Sequence, residues 1–343
     1  MKRRKTRQIK IGNVRIGAGA PISIQSMTKT DAVDINSTVA QIKRLEKRGC
    51  EIIRIAVKDN ASCQAIKKIK PRIKIPLVAD IHFDYKLALE AVSSGCDAIR
   101  LNPGNIKKRV HILRVIEACR RKRLPIRIGL NSGSAGTSTS QGLANLARNY
   151  CKIFERERFY DIIISLKASD VYTTIEAYRK MAGGCNYPFH LGVTATGTGY
   201  SGIIKSAIGI GALLAEGIGD TIRVSLTTQP EGEIEVAKYI LQSLGLRRFY
   251  PDIISCPTCG RCQVDLVKIV NEFSKKLSAI DHRVLAKLPK IALMGCEVNG
   301  PGEARDADIG IAFGKNSGIL FRKGQIAKKI KAKNAIKEIM RLI

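Results

Sequence analysis

The chain has 343 residues, of which 45% are hydrophobic, so it can bury a large core, and at roughly 150 residues per domain we expect two domains. Its 59 basic and 29 acidic residues give a net charge of +30, but aromatic residues make up only 5% and Trp is absent. Little material for stacking bases argues against nucleic acid as the main partner, and the lack of an 18-residue apolar run predicts no membrane-spanning helix.

One unit repeats from residue 20 to about residue 245: a short apolar run followed by an amphipathic helical stretch. Near-continuous apolar runs are typical of parallel strands that are buried on both faces. Eight such units indicate a TIM barrel, with a doubly wound sheet as the alternative fold, and the basic segment 1–10 is interpreted as a further first strand. The eight predicted strands are 22–27, 51–57, 75–81, 98–103, 126–132, 161–169, 189–196 and 221–227.

Basic and polar side chains interrupt the apolar runs, and a TIM barrel places its catalytic residues at the C-terminal ends of its strands. Buried cations in this number need counter-charges, which two phosphates supply through bidentate guanidinium contacts. The sequence therefore predicts a small diphosphate substrate. The residues expected at this mouth are Arg54, Asp80, His82, Arg100, Asn102, Arg127, Asn131, Lys167, His190, Thr194, Arg223 and Ser225.

A glycine-rich loop follows the seventh predicted strand. Gly197, Gly199 and Gly202 spell G-x-G-x-x-G, and Asp220 lies near the distance at which a dinucleotide site carries an acid. That fingerprint belongs to the first turn of a Rossmann unit, however, not to a seventh strand. In a barrel, glycine-rich turns after strands seven and eight commonly bind phosphate, so no nicotinamide is needed.

The pattern changes beyond residue 245, which predicts a barrel domain over 1–247 and a small α/β domain over 248–343. The elements predicted in the second domain are strands at 252–255, 291–296, 309–314 and 318–323, with helices near 262–277 and 326–342.

The second domain carries Cys256 and Cys259 in SCPTCGRC, then Cys296 and Glu303 in MGCEVNGPGEA. Thiolates two residues apart can hold one metal centre, and the Pro-Thr pair between them favours a tight turn. Structural zinc normally needs a second close pair of Cys or His, which the sequence lacks. Disulfides are not expected in a chain that has no signal peptide and is interpreted as a cytoplasmic enzyme. An iron–sulfur cluster fits best.

The remaining cysteines are weighed in the same way. Cys262 reproduces the spacing of a ferredoxin-type run, but the closing fourth Cys of such a run is missing, so Cys262 ranks below Cys296. The others stand singly in apolar or helical surroundings, where a thiol acts as a small buried hydrophobe. These are Cys50, Cys63, Cys96, Cys119, Cys151 and Cys185.

Segments spread in order over nearly the whole chain resemble the 4-hydroxy-3-methylbut-2-enyl diphosphate synthase family. They include PISIQSMTKT, VADIHFDYKLAL, IRLNPGNI, SLKASD, ISCPTCGR and MGCEVNGPGEARDADIGIAFG. The resemblance implies reductive ring opening and dehydroxylation of 2-C-methyl-D-erythritol 2,4-cyclodiphosphate, in the methylerythritol phosphate route to isoprenoids. It also implies a TIM barrel joined to a cluster-bearing domain, a ferredoxin or flavodoxin donor, and a homodimer in which one subunit's cluster faces the other's barrel.

Carried over residue by residue, the resemblance makes Cys256, Cys259, Cys296 and Glu303 the ligands of a [4Fe-4S] cluster that delivers two electrons, with Cys262 outside the set. A carboxylate oxygen binds a soft cluster iron less well than a thiolate, so Glu303 should exchange readily and let a substrate oxygen bind. The residues that the resemblance assigns to the diphosphate are Arg54, Arg100, Arg127, Asn131, Lys167, Arg223 and Ser225.

One departure from the family pattern matters for the proposed chemistry. Where the family reads TEAG, this chain has Thr194, Ala195, Thr196 and Gly197, and Ala195 cannot assist the proton transfer that the resemblance assigns to the glutamate. Either His82, or a water held by Thr194 or Thr196, supplies the proton, or the activity is reduced or changed.

Two alternatives stay open at this point. One is another cluster-dependent TIM-barrel enzyme that acts on a small diphosphate. The other is a zinc-stabilised nucleic-acid-binding protein, which the +30 charge and the C-x-x-C pair favour.

Overall fold

Two units follow each other along the chain, Met1–Arg247 and Arg248–Ile343. The computed structural model describes residues 2–343 except 107, 169, 195, 196, 198, 278 and 281, together with the backbone alone at 134, 135, 282 and 283. Within this part of the chain, every helix is too short or too polar to cross a membrane.

Parallel strands form the sheet of the first unit, after a short antiparallel hairpin of β1 (Ile9–Ile11) and β2 (Val14–Ile16). Eight parallel strands lie in the described residues: β3 (Ser23–Met27), β4 (Ile52–Val57), β5 (Leu77–Ile81), β6 (Ala98–Leu101), β7 (Ile126–Asn131), β8 (Ile162–Lys167), β9 (His190–Leu191) and β10 (Thr221–Ile222).

These strands pair in the order β8-β7-β6-β5-β4-β3-β10-β9. The ends of this row meet, because Ile164 on β8 bridges to Phe189 and its N–H donates to the Pro188 carbonyl oxygen at 3.0 Å. The predicted TIM barrel is therefore confirmed, and the doubly wound alternative is wrong. Strands β9 and β10 are shorter than predicted. Just beyond β9 the backbones come so close that a Cβ on Gly192 would lie 2.8 Å from the Arg223 carbonyl oxygen.

Helices alternate with the strands, as right-handed βαβ units require. Four of them begin behind an aspartate (Asp34, Asp59, Asp84 or Asp170) whose carboxylate accepts a backbone N–H of the first turn. The helices are α1 (Ile35–Lys47), α2 (Asn60–Ile69), α3 (Tyr85–Ser93), α4 (Arg109–Lys122), α5 (Ser132–Ala135), α6 (Ser140–Arg156), α7 (Val171–Ala182), α8 (Gly199–Ala215) and α9 (Pro230–Ser243), with 3-10 turns at Lys70–Arg72 and Pro103–Asn105.

The basic N-terminal segment is not the strand that was predicted, because pairing begins only at Ile9. Before it, Arg3 Nη2 lies 3.1 Å from Asp220 Oδ1, and the Arg4 guanidinium carbon lies 4.0 Å from the Phe189 ring centroid. The hairpin covers the N-terminal end of the barrel, so the opposite end is left for a site. Its apolar side chains pack in one cluster of Ile9, Ile11, Ile16, Ile52, Val78, Ala98 and Ile163.

The second unit is a sheet with helices, in which the first three strands are parallel and the last two antiparallel. Its core includes Phe273, Leu293, Ile311 and Phe313. The described elements are β11 (Ile253–Ser255), α10 (Leu266–Leu277), α11 (His282–Leu285), β12 (Ile291–Met294), α12 (Gly300–Arg305), β13 (Ile309–Phe313), β14 (Ser317–Arg322), β15 (Gln325–Lys331), a 3-10 turn at Ala332–Asn334 and α13 (Ala335–Met340).

The helix predicted over 326–342 is wrong for most of its length. Lys323 and Gly324 both have positive φ, 48° and 79°, and form a tight turn that folds β15 back onto β14. Pairing with β14 satisfies the backbone of Gln325–Lys331, and helical structure is confined to the 3-10 turn and α13 that follow. Lysines along an edge strand also prevent pairing with other chains.

Candidate active site

Three arginines from neighbouring strands lie buried inside the barrel. Arg54 on β4, Arg100 on β6 and Arg127 on β7 are each at least nine-tenths buried. The ladder aligns Asp80 with Arg100 and Arg100 with Arg127, so these three side chains are held at one level by backbone pairing. Because the strands are central and rigid, the positions of these charges are set by the fold and not by loops.

Asp80 links two of these cations. Its Oδ2 lies 3.4 Å from Arg54 Nε, and its Oδ1 lies 3.1 Å from Arg100 Nη1. His82, whose side chain is partly exposed, places Nε2 3.6 Å from Asp80 Oδ2 and 3.3 Å from Arg100 Nη1. Burial alone would raise the pKa of Asp80, but Arg54, the His82 hydrogen bond and Arg100 together hold this pKa well below its ordinary value. Asp80 is therefore a fixed carboxylate.

A second carboxylate, Glu233, lies near the basic side chains that Asp80 does not contact. It is 2% exposed, and its Oε1 accepts the Leu226 N–H at 3.0 Å and lies 3.1 Å from Lys29 Nζ. Its Oε2 lies 3.8 Å from Arg223 Nη2. The sequence did not single out Glu233 or Lys29, because a glutamate in the first turn of a helix ordinarily serves only to complement the helix dipole.

The remaining cations are poorly compensated. Lys167 lies at the end of β8 and is partly exposed to solvent. Its pKa is nevertheless well below the ordinary value, mainly because protein surrounds the amine and also because Arg54 and Arg223 repel its charge. Arg127 Nη1 donates to Gln25 Oε1 at 2.6 Å, but among the described residues its buried Nε and Nη2 find no acceptor. Burial is the main cause of the lowered pKa of Arg127.

Glycines make the room that these side chains occupy. A Cβ on Gly129 would lie 2.5 Å from Arg100 Nε, and a Cβ on Gly192 would lie 3.5 Å from Lys167 Nζ. In the described part of the chain, Asp80 pairs with Arg54 and Arg100, and Glu233 pairs with Arg223, so these two carboxylates serve three of the five cations. The barrel therefore holds an excess of buried positive charge, which suits a compact polyanion.

The other predicted residues lie at several depths. Asn131 pairs in register with Lys167 at the strand ends, whereas Arg127 lies four residues earlier, about 13 Å down the strand. Ser225 follows Arg223 by two residues beyond β10. Thr194 is exposed, and Ala195 and Thr196 lie outside the described residues.

His190 is the one fully buried histidine among the described residues. Burial, then Arg127 and Lys167, lower its pKa well below the ordinary value, so the imidazole stays neutral. Its Nδ1 lies 3.4 Å from Thr221 Oγ1.

In the second unit, two of the predicted ligands follow adjacent parallel strands. Cys256 comes directly after β11, and Cys296 comes two residues after β12. Cys256 Sγ accepts the Gly295 N–H at 3.3 Å. Backbone N–H groups of Asn299 and Val298 lower the pKa of Cys296 and so favour its thiolate.

The structure does not bring all four predicted ligands together. Cys259 is exposed in the loop after Cys256, and Glu303 is exposed on α12. Across the described residues, no three His, Cys, Asp or Glu side chains form a metal site. The donors nevertheless fit an iron–sulfur cluster, because thiols and N–H groups directed at sulfur are what such clusters use.

Five of the six cysteines in the first unit are buried, as predicted for thiols that act as small hydrophobic side chains. Burial raises the pKa of Cys50 and of Cys119 to about 12 and that of Cys63 to about 11, and Cys96 and Cys151 are buried as well. Cys185 is only half-buried.

Solved structures with a similar fold share little sequence with this chain. Dihydropteroate synthase from Stenotrophomonas maltophilia superposes with a TM-score of 0.53 and 11% identity, over 70% of this chain and 98% of that chain. N-acetylneuraminic acid synthetase from Leptospira borgpetersenii gives 0.53 and 12%, over 81% and 100%. These likenesses concern the fold alone.

Sequence relatives are much closer. The chain is 52% identical to 4-hydroxy-3-methylbut-2-en-1-yl diphosphate synthase (flavodoxin) of Clostridium perfringens, over 100% of this chain and 99% of the relative. It is 50% identical to the enzyme of the same name from Caldanaerobacter subterraneus, over 99% and 97%. Family models match residues 6–238, as the GcpE TIM-barrel domain, and 252–343, as the GcpE protein C-terminal domain. With both halves matched in order and half of all positions identical to full-length relatives, the chain belongs to the GcpE family.

Proposed function

We propose that this protein catalyses the reductive ring opening and dehydroxylation of 2-C-methyl-D-erythritol 2,4-cyclodiphosphate to (E)-4-hydroxy-3-methylbut-2-enyl diphosphate, in isoprenoid precursor biosynthesis. The observation that carries the proposal is the excess of buried cations in the barrel of a chain whose full-length relatives are named diphosphate synthases. Those cations need an anion, and a cyclic diphosphate brings two adjacent phosphates into one small ligand.

The barrel domain, 1–247, would bind this substrate. Asp80 orients Arg54 and Arg100, and Glu233 orients Arg223, so the guanidinium groups are positioned before the ligand arrives. Arg127 Nε and Nη2, which meet no acceptor in the part of the chain that the structure describes, would donate to a phosphate oxygen. The residues proposed to hold the diphosphate are Arg54, Arg100, Arg127, Asn131, Lys167, Arg223 and Ser225.

The second domain, 248–343, would carry a [4Fe-4S] cluster on Cys256, Cys259, Cys296 and Glu303, which when bound supplies two electrons one at a time. The Gly295 N–H points at Cys256, and the N–H groups of Asn299 and Val298 lower the pKa of Cys296 and so favour its thiolate, the form in which cysteine binds iron. Glu303 offers a carboxylate oxygen, which binds cluster iron more weakly than a thiolate does. It would therefore give way to a substrate oxygen, and for that reason we count it among the catalytic residues.

His82 is the proposed proton donor to the departing hydroxyl. Its ring lies beside Asp80 and Arg100 and keeps part of its surface open, so the ring can receive protons from solvent. Thr194, exposed after β9, would hold a water for the same purpose.

The electron donor in this proposal is flavodoxin, with ferredoxin as the other choice, in the cytoplasm. The relatives carry flavodoxin in their names, and a chain of net charge +30 suits an acidic donor.

A homodimer completes the proposal, and helix α8 supports it. Tyr200, Ile204 and Ile208 lie four residues apart along this helix and are 86%, 55% and 54% exposed, while Lys205 is its one charged residue. Two copies of a strongly basic chain repel each other, so a charge-poor apolar face is where they can meet. Ile204→Glu should yield monomers in analytical ultracentrifugation, whereas Val110→Glu, at a similarly exposed position on α4, should not.

The proposal is tested by anaerobic purification, iron and sulfide analysis, and turnover of the cyclic diphosphate with reduced flavodoxin. We expect brown protein with about four irons per chain that forms the product. Cys296→Ser should lose the iron and the activity, while Cys185→Ser, at a half-buried thiol in the barrel, should keep both. Colourless zinc protein that binds nucleic acid with steep salt dependence would contradict the proposal.

A further inference from the structure

The loop CPTCGRC brings Cys262 close to Cys256, whereas Cys259 is exposed. A Cβ built on Gly295 would have three nearest atoms: Cys262 Sγ at 2.4 Å, Leu266 Cδ2 at 3.3 Å and Cys256 Sγ at 3.5 Å. Two sulfurs that lie this close to one point are less than about 6 Å apart. A disulfide needs its sulfurs at about 2.05 Å, so the side chains have to rotate toward each other to form the bond.

Backbone hydrogen bonds hold the loop in this shape. The Cys262 N–H donates to the Cys259 carbonyl oxygen at 2.9 Å, which closes a turn, and the Gln263 N–H donates to the Gly295 carbonyl oxygen at 2.8 Å. The second bond ties the end of the loop to the strand end that carries Gly295. Cys262 is therefore turned toward the sheet and packs on the core, while Cys259 stays exposed.

We propose that Cys256 and Cys262 form a reversible disulfide in the cluster-free chain, and that this disulfide blocks cluster loading until a thiol reduces it. The proposal rests on the function proposed above only in naming Cys256 as a cluster ligand. The oxidant is hydrogen peroxide: two S–H bonds and one O–O bond break, one S–S bond and two O–H bonds form, and the peroxide is reduced to two water molecules. A small thiol reverses the step by exchange.

Selectivity follows from the contrast with the other thiols. In the barrel, burial raises the pKa of Cys50 and Cys119 to about 12, so these thiols are protonated and react slowly with peroxide. Cys256 and Cys262 are only partly buried, in a loop that solvent reaches. The pair would keep Cys256 from irreversible oxidation whenever the chain lacks its cluster.

Peptide mapping can identify which cysteines are paired, because trypsin cleaves after Arg261 and so separates Cys259 from Cys262. Trypsin leaves peptide 249–261, with Cys256 and Cys259, and peptide 262–268, with Cys262. Stoichiometric hydrogen peroxide added to the cluster-free full-length chain should lower the free-thiol count from ten to eight and cross-link these two peptides. Cys256→Ser and Cys262→Ser should each abolish the link, while Cys259→Ser and Cys185→Ser should retain it.

Iron uptake supplies the second readout. The peroxide-treated chain should take up less than a tenth of the iron of the reduced chain, dithiothreitol should restore uptake, and Cys262→Ser should take up iron after a brief peroxide treatment. A disulfide within peptide 249–261, loss of the link in Cys259→Ser, or full iron uptake by the cross-linked chain would overturn the proposal. The cross-link is measured without the cluster, so this result is distinguishable from failure of the proposed activity.

Discussion

The two candidate sites are built in opposite ways. In the barrel, Arg54, Asp80 and Arg100 are buried on paired strands and fixed by ion pairs before any ligand binds. In the second unit, Cys259 and Glu303 are exposed, and no three of the predicted ligands are assembled among the described residues. In the barrel, charged side chains are positioned before the ligand binds, and burying them costs stability. In a metal site built on loops, by contrast, the metal itself draws the ligands together when it binds.

The strongest test of this comparison removes one barrel cation. In Lys167→Met, the affinity for the cyclic diphosphate should fall about a hundredfold, because a buried charged contact worth about 3 kcal/mol is lost. The melting temperature should rise at the same time, because burial and Arg54 and Arg223 disfavour the charged lysine. Isothermal titration and calorimetry measure the two effects.

The matched control is Lys152→Met, an exposed lysine on α6, which should change neither quantity. If Lys167→Met lowered both affinity and melting temperature, the lysine would be part of the structural framework and the barrel would not be strained by its charges.

Removing a carboxylate from the same site should lower stability, whereas removing a cation should raise it. Glu233→Gln removes the counter-charge of Lys29 and Arg223, and breaking a buried ion pair costs about 3–5 kcal/mol, so the melting temperature should fall. The KM for the diphosphate should rise about tenfold with a smaller change in kcat, because Arg223 loses its support, an effect of roughly 1.4 kcal/mol. Steady-state kinetics and calorimetry separate these effects.

Glu231→Gln on the same helical turn is the control, because Glu231 Oε1 pairs with the exposed Arg44 at 3.1 Å and such pairs contribute little. Equal losses in both variants would mean that Glu233 acts only through the helix and not through Arg223.

The contrast also explains what the sequence could predict. Apolar runs predicted the barrel strands, and cations inside those runs predicted the candidate site, because both signals are local. Glu233 and Lys29 were not predicted because their roles arise where α9 and the chain after β3 meet each other and Leu226, beyond the end of β10, and no periodicity encodes that contact. The stretch 326–342 was misread because a turn at Lys323 and Gly324 supplied a strand partner that overrode its helical appearance.

A smaller effect is expected at the position where the chain departs from its family. Ala195 lies outside the described residues, so the prediction rests on sequence. Ala195→Glu should raise kcat several-fold with unchanged affinity for the diphosphate, because it adds an acid beside Thr194 that can deliver a proton. Ala195→Gln has the same length but no proton to give, and should leave kcat unchanged. Equal rates in all three proteins would show that this position does not limit turnover.

The smallest effect is expected in the ligand loop of the second unit. Thr258 has a φ of 64°, a left-handed conformation that costs a β-branched residue about 1–2 kcal/mol and that glycine adopts freely. Part of that gain is offset because glycine is more flexible in the unfolded chain, so Thr258→Gly should stabilise the second unit by less than about 1 kcal/mol. Calorimetry should detect the shift, while iron content after reconstitution stays the same, because a site completed by its metal does not need a strained loop. Higher stability together with lost iron would instead mean that the strain at Thr258 aims the flanking thiols, and the loop would then be preorganised in the same sense as the barrel.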